Sequence, residues 1–172
     1  MVVIISCEGI AVMPVSCTFQ LNDKETSFLS CPGAGNFVAF SGTSTGRDNP
    51  SAVSKVDVGP IPPGTYYIVD RQSGGTLGWL RDLYSAFGYG TTDRSQWFAL
   101  WRENTGDVTI INGIKRGAFR LHPMGPRHLS EGCITLANPY QFKTLANYLR
   151  KQGATLRVPG AALKAYGTVI VK

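Results

Sequence analysis

No stretch of this chain approaches the roughly 18 consecutive apolar residues that a membrane-spanning helix needs. The apolar opening, MVVIISCEGIAVMPVSC, is interrupted by Glu8 and has no Lys or Arg ahead of it. It reads as a poor secretory signal and better as a first strand or an ordered arm. Work outside the cytoplasm would therefore call for delivery by something other than a standard signal peptide, or for a signal already removed. Histidine is scarce, with two in 172 residues, so general bases and metal ligands have few places to be. Sustained helical periodicity is scarce as well, and there is no internal repeat, low-complexity tract or linker. Acids nearly vanish from the last third. Residues 113–172 hold ten Lys/Arg and one acid, Glu131, a net of +9, whereas residues 1–112 hold seven Lys/Arg and ten Asp/Glu, a net of −3. No nucleic-acid motif accompanies the basic part, so nucleic acid is not an expected partner. A solvated basic face or an anionic partner fits it, such as a lipid surface or a carboxylate-rich substrate.

What is present points to a mainly β, turn-rich single domain over 1–172, with N-terminal strands or an arm over 1–36 and a core over 37–172. Gly (20) and Pro (10) are plentiful. FVAFSG, TYYIVD, WFALWR and GTVIVK each read as strands, and DVTIINGIKRGAFRLH reads as a pair of strands with a Gly-containing connection. Pro63 and Gly64 suit the centre of a type II turn. One solid helix is expected over about 139–151, with Asn138 as N-cap, Pro139 in the first position and Gly153 beyond a basic last turn; Leu145, Tyr148 and Leu149 form its apolar face. The spacing of Leu77, Leu80, Leu83 and Tyr84 suggests a second short helix over about 78–86.

Three of the four cysteines lie early. Cys17 and Cys31 flank TFQLNDKETSFLS, two strands about a polar turn, and stand roughly opposite each other in such a hairpin. A cross-strand disulfide and a set of buried thiols with Cys7 are both open. Cys133 is different. It sits in FRLHPMGPRHLSEGCITL, residues 119–136, which also holds both histidines, His122 and His128. Phe119 and Leu121 alternate with Arg120 and His122, so His122 ends a strand, and the loop that follows returns Cys133 toward it.

Near neutral pH a free thiol is mostly protonated, and an imidazole beside it can take the proton. The thiolate then attacks a carbonyl carbon, and the imidazolium protonates the leaving amine. Gly132 lets the chain turn tightly, so that backbone N–H groups of Gly132 and Cys133 can face a developing oxyanion. Other readings compete. Cys133 can be an inert core residue with His122 a satisfied half-buried histidine. His122, His128 and Cys133 can be zinc ligands, although their spacing matches no zinc signature and Glu131 makes an awkward fourth. The basic loop can also simply bind an anion.

SEGCIT resembles the S/T-x-G-C-x-R nucleophile motif of the L,D-transpeptidases, the YkuD-like catalytic domain. The ordered series FSG, GRDNPS, VGPIPPGTYYI, FRLHP and SEGCITL resembles the L,D-transpeptidase-like effectors of type VI secretion systems, over roughly Phe37 to Leu136. The resemblance implies a β-barrel or sandwich with Cys133 as nucleophile and His122 as base, framed by Ser130 and Gly132. It implies cysteine L,D-carboxypeptidase or D-amino-acid-exchanging transpeptidase activity on peptidoglycan stem peptides, in the periplasm of a target cell. It implies a type VI delivery component and a cognate immunity protein as partners, and neither a cofactor nor a metal. Two positions depart from the wider family. Glu131 stands where His often precedes the Gly–Cys pair, and Thr135 stands where Arg often follows the cysteine by two. Arg120 and Arg127 are then the candidates to hold a substrate carboxylate, with His128 as a further substrate contact. A resident cross-linking transpeptidase and a catalytically silent wall-binding module are the alternatives.

Overall fold

A computed structural model of the chain describes residues 13–71, 94–126 and 128–172. The expected helix over 78–86, Cys7 and Arg127 lie outside the described residues. Alternating sequences set the inner faces of the strands. In β1 (Val15–Phe19) Val15, Cys17 and Phe19 are buried while Ser16 is exposed, and β2 (Ser27–Cys31) repeats the pattern. The other strands are β3 (Gly35–Phe40), β4 (Gly64–Asp70), β5 (Phe98–Arg102), β6 (Val108–Ile111), β7 (Ile114–Gly117), β8 (Arg120–Pro123), β9 (Ile134–Leu136), β10 (Leu156–Arg157) and β11 (Lys164–Val171).

The main sheet runs β1-β2-β3-β9-β8-β5-β4-β11-β10, and β1 also pairs with β11, so all of these strands except β10 close into an eight-stranded barrel. Closure leaves no free edge among them. Two pairings are parallel, β1–β11 and β8–β9. Inside lie Leu29, Phe37, Tyr66, Ile68, Phe98, Leu100, Phe119, Leu121, Ile134 and Leu136. Helix α1 (Pro139–Gln152) packs Phe142, Leu145, Ala146 and Leu149 into the same core. Its ends follow the expected chemistry. The Asn138 side chain accepts the N–H groups of Tyr140 and Gln141, and Gly153 takes a φ of 79°. The architecture is mainly β with one long helix, as the composition and turn signals indicate.

The strand pattern differs from expectation in two places. DVTIINGIKRGAFRLH makes three strands rather than two. Asn112 and Gly113, with φ of 50° and 79°, turn β6 into β7 as a separate hairpin. Ala118, with φ of 55°, then breaks the chain away from the hairpin before β8 joins the barrel. Gly64, expected inside a type II turn, has a φ of 148° and already opens β4, whereas such a turn needs about +80°.

Cys17 and Cys31 are joined by a disulfide across β1 and β2, with both residues buried. The bond encloses a 14-residue separation, and a loop of that size constrains the unfolded chain by about 3 kcal/mol. Reduction, or the double change Cys17→Ala and Cys31→Ala, is therefore expected to lower the melting temperature by several degrees. Thermal unfolding with and without reductant checks this, and coincident curves would contradict it.

The segment between β3 and β4 is held by side chains rather than by strand pairing. Buried Ser41 accepts the Ile61 N–H on its Oγ, at 2.7 Å. Its own N–H donates to the Asp48 carboxylate at 2.8 Å, and its carbonyl accepts the Asp48 N–H at 2.7 Å. Asn49 caps the following 3-10 turn. Gly42, Gly46 and Gly59 allow backbone to pass where a Cβ would meet backbone atoms of this same segment within 3 Å. FSG, GRDNPS and VGPIPPG are thus one interlocked wall, and it stands next to the loop of Cys133.

Candidate active site

Strands β8 and β9 pair in parallel, with Leu121 opposite Ile134 and His122 opposite Thr135. Leu121 and Ile134 both face the barrel core. His122 and Thr135 consequently share the other face of the wall. Continued one step before β9, the same register sets Cys133 opposite Arg120, and strand alternation puts it on the side of Thr135 and His122.

His122 is buried and pinned on three sides. Its ring stacks on Trp97, with centroids 4.3 Å apart and planes 19° apart. Nδ1 lies 2.8 Å from the Pro123 carbonyl oxygen. That oxygen can only accept, so Nδ1 carries the proton and Nε2 is the bare nitrogen. Nε2 accepts from the Thr135 hydroxyl at 3.3 Å. The Pro123 carbonyl is therefore the group that orients the imidazole. Burial pushes His122 down to about 4, opposed by its Pro123 hydrogen bond and reinforced by the positive charge of Arg94. The ring is neutral near pH 7.

That shift carries a stability consequence with a definite sign. The unfolded chain takes up the proton near pH 6.5, while the folded chain resists it until about 4. The contribution of neutral His122 is complete above pH 6.5 and is lost as pH falls toward 4, at most about 3 kcal/mol. Buried Asp48, pushed up to about 7 by burial, acts oppositely over this range. The difference between wild type and His122→Gln is therefore the quantity to measure, by denaturant unfolding from pH 7 to pH 4. It is expected to shrink in favour of the variant as pH falls, and a pH-independent difference would contradict the assignment.

Cys133 is the free cysteine among the described residues. Although the residue keeps some exposure, burial of the sulfur pushes the thiol up to about 11. The Arg120 N–H, aimed at the sulfur, works against this, as do the charges of Arg120 and Arg116, whereas Glu131 adds to it. The resting pair is thus a thiol and a neutral imidazole. Before the cysteine, Ser130 is buried and donates from Oγ to the Cys133 carbonyl at 2.7 Å. Gly132 takes a φ of 104°, and a Cβ there would lie 2.5 Å from Arg116 Nη2. The turn in front of Cys133 therefore needs a glycine on both conformational and steric grounds.

The remaining candidates separate. Arg120 is held by Asp107 through two contacts, at 2.7 and 3.4 Å, and also donates to the Phe119 carbonyl. Its charge is largely occupied. His128 is exposed, has a φ of 52°, and meets Arg47 through its backbone carbonyl rather than its ring. Among the described residues, no three His, Cys, Asp or Glu side chains come together as a metal centre requires. No helix of the described residues is long and apolar enough to cross a membrane.

Three neighbours escaped the reading of the sequence. The sequence marks Trp97 only as a strand residue, yet it forms a wall for His122. Thr135 stands out in the sequence only for the Arg it replaces, yet its hydroxyl meets Nε2. Arg116 lay in an ordinary strand pattern, yet its guanidinium is buried against the turn of Gly132. No sequence signal marks it; the structure pairs it with Thr109 across the β6–β7 hairpin and buries it.

Fold and site together define a class: a closed β-barrel that carries a cysteine and a histidine with a bare Nε2 on adjacent parallel segments of its wall. A scan against protein-family models matches residues 35–161 to the Tlde1 domain, and the chain belongs to that family, an L,D-transpeptidase-like family of type VI secretion effectors. A search of curated proteins finds no match.

Proposed function

We propose that this effector cleaves or exchanges the terminal D-alanine of peptidoglycan stem peptides by acyl transfer through Cys133. The observation that carries the reading is the tautomer of His122. The Pro123 carbonyl holds the proton on Nδ1, leaving Nε2 as a base on the strand beside the thiol. With substrate bound, the Cys133 S–H replaces the Thr135 hydroxyl as partner of Nε2 and gives up its proton there. The thiolate attacks the carbonyl carbon between the diamino acid and D-alanine, forming a C–S bond and an oxyanion. Backbone N–H groups of the Gly132–Cys133 turn face that oxygen. As the intermediate collapses, the C–N bond breaks and Nε2–H protonates the leaving amine. The thioester is then taken by water, which gives carboxypeptidase activity, or by the amine of another D-amino acid, which gives exchange. Neither route needs a cofactor.

The basic charge of residues 113–172 suits a substrate that bears several carboxylates. Secretion through a type VI system fits a target in the periplasm of a rival cell, with a cognate immunity protein protecting the producer. The biological test is expression with and without an added signal peptide. Toxicity is expected only in the periplasm, only with Cys133 and His122 intact, and with no effect of the cytoplasmic form. Killing by the cytoplasmic form, or by periplasmic Cys133→Ala, would remove peptidoglycan as the target.

A further inference from the structure

Arg116 is a buried cation without a carboxylate in contact among the described residues. The residue is 4% exposed. Its Nη1 donates to the Val53 carbonyl, and its Nη2 donates to the carbonyls of Gly59 at 3.0 Å and Pro60 at 3.4 Å. The guanidinium lies 5.6 Å from the centre of the Phe119 ring. Asp57 acts on it only through space. Carbonyl dipoles satisfy its N–H groups but leave its net charge in place, and a buried charge is retained at a price in desolvation unless something uses it. Beside the same Nη2 is the Gly132 turn, where a Cβ would lie 2.5 Å from that nitrogen.

The burial decides between two uses. A side chain this enclosed has no free face for a substrate carboxylate, so Arg116 does not stand in for the family arginine that Thr135 displaces. The neighbouring Arg120 is more accessible and is paired with Asp107, and its charge also favours the Cys133 thiolate. Packed at Gly132, Arg116 acts through space on the charge that develops on the next residue, Cys133.

We propose that Arg116 is a positioning residue whose uncompensated buried charge stabilises the Cys133 thiolate, while the carbonyls of Val53, Gly59 and Pro60 clamp its guanidinium against the Gly132 turn from which the thiol projects. The proposal rests on the reading of Cys133 as nucleophile. It also gives the interlocked wall over residues 41–63 a task, since the wall supplies the carbonyls that hold the cation in place.

The test is thiol alkylation, which reads the thiolate without any wall substrate, with modification mapped to Cys133 by peptide mass spectrometry. Below its inflection, the iodoacetamide rate follows the thiolate fraction, tenfold for each unit of pKa. In Arg116→Gln the inflection is expected to move up by about one unit, so that alkylation at pH 8 slows about tenfold. Arg116→Lys, which keeps the charge, is expected to restore most of that rate. Unchanged profiles in a folded Arg116→Gln protein would overturn the proposal, and so would an Arg116→Lys protein that behaves like Arg116→Gln. If Arg116→Gln does not fold, the uncharged Arg116→Met is measured in its place, with the same rise of the inflection expected, and an unchanged inflection would overturn the proposal. An inert wild type on muropeptides, with these alkylation results intact, would instead fault the proposed function and leave the role of Arg116 standing.

Discussion

Cys133→Ala is expected to reduce turnover of stem peptides to background, a loss on the order of 10⁶-fold if chemistry limits the rate. In the proposed mechanism the sulfur forms the acyl bond, and among the described residues it is the free thiol. Cys17 and Cys31 are spent in a disulfide between β1 and β2. The variant should fold, because the change removes one sulfur from a half-buried position and leaves the β8–β9 pairing untouched. Steady-state kinetics on a tetrapeptide substrate, with a thermal melt as control for folding, checks both parts. A folded Cys133→Ala protein with measurable turnover would end the cysteine mechanism.

The second large effect belongs to His122. His122→Ala is expected to lower kcat by about 10²- to 10⁴-fold, the usual worth of a positioned general base. His128→Ala should change it far less, because the His128 ring is exposed and the structure engages only its carbonyl. The two variants are readily compared in one assay. If His128→Ala were the more damaging, the base would have been assigned to the wrong histidine. His122→Ala also removes the ring that stacks on Trp97. Folding must therefore be verified, and His122→Gln serves as the gentler companion.

Local chemistry carried much of this structure in plain view. Alternation in FRLH marked inner and outer faces, and Asn138, Pro139 and Gly153 bounded α1 within a residue. The placing of His122 at a strand end followed from the same local rules, which allowed but did not require a loop that brings Cys133 back. What stayed hidden depends on partners far away in the chain. Closure of the barrel rests on β1 meeting β11 in parallel, a pairing across nearly the whole sequence that no local pattern announces. The hairpin β6–β7 separates from β8 because Ala118 adopts a positive φ, which its residue type does not suggest. Arg116 looked like any basic residue in a strand. Only the carbonyls of Val53, Gly59 and Pro60, more than 50 positions earlier, make it a buried cation. Trp97 reaches His122 only once β5 lies beside β8.

The central claim, acyl transfer at the stem peptide by Cys133, is tested most directly by incubating the purified protein with tetrapeptide muropeptides and reading the products by mass spectrometry. Wild type is expected to yield the species lacking one alanine, or, with an excess of a second D-amino acid, the species in which that residue replaces the alanine. Cys133→Ala is expected to return the starting material in both cases. Unchanged muropeptides with folded wild-type protein would contradict the claim, as would products that appear equally with Cys133→Ala.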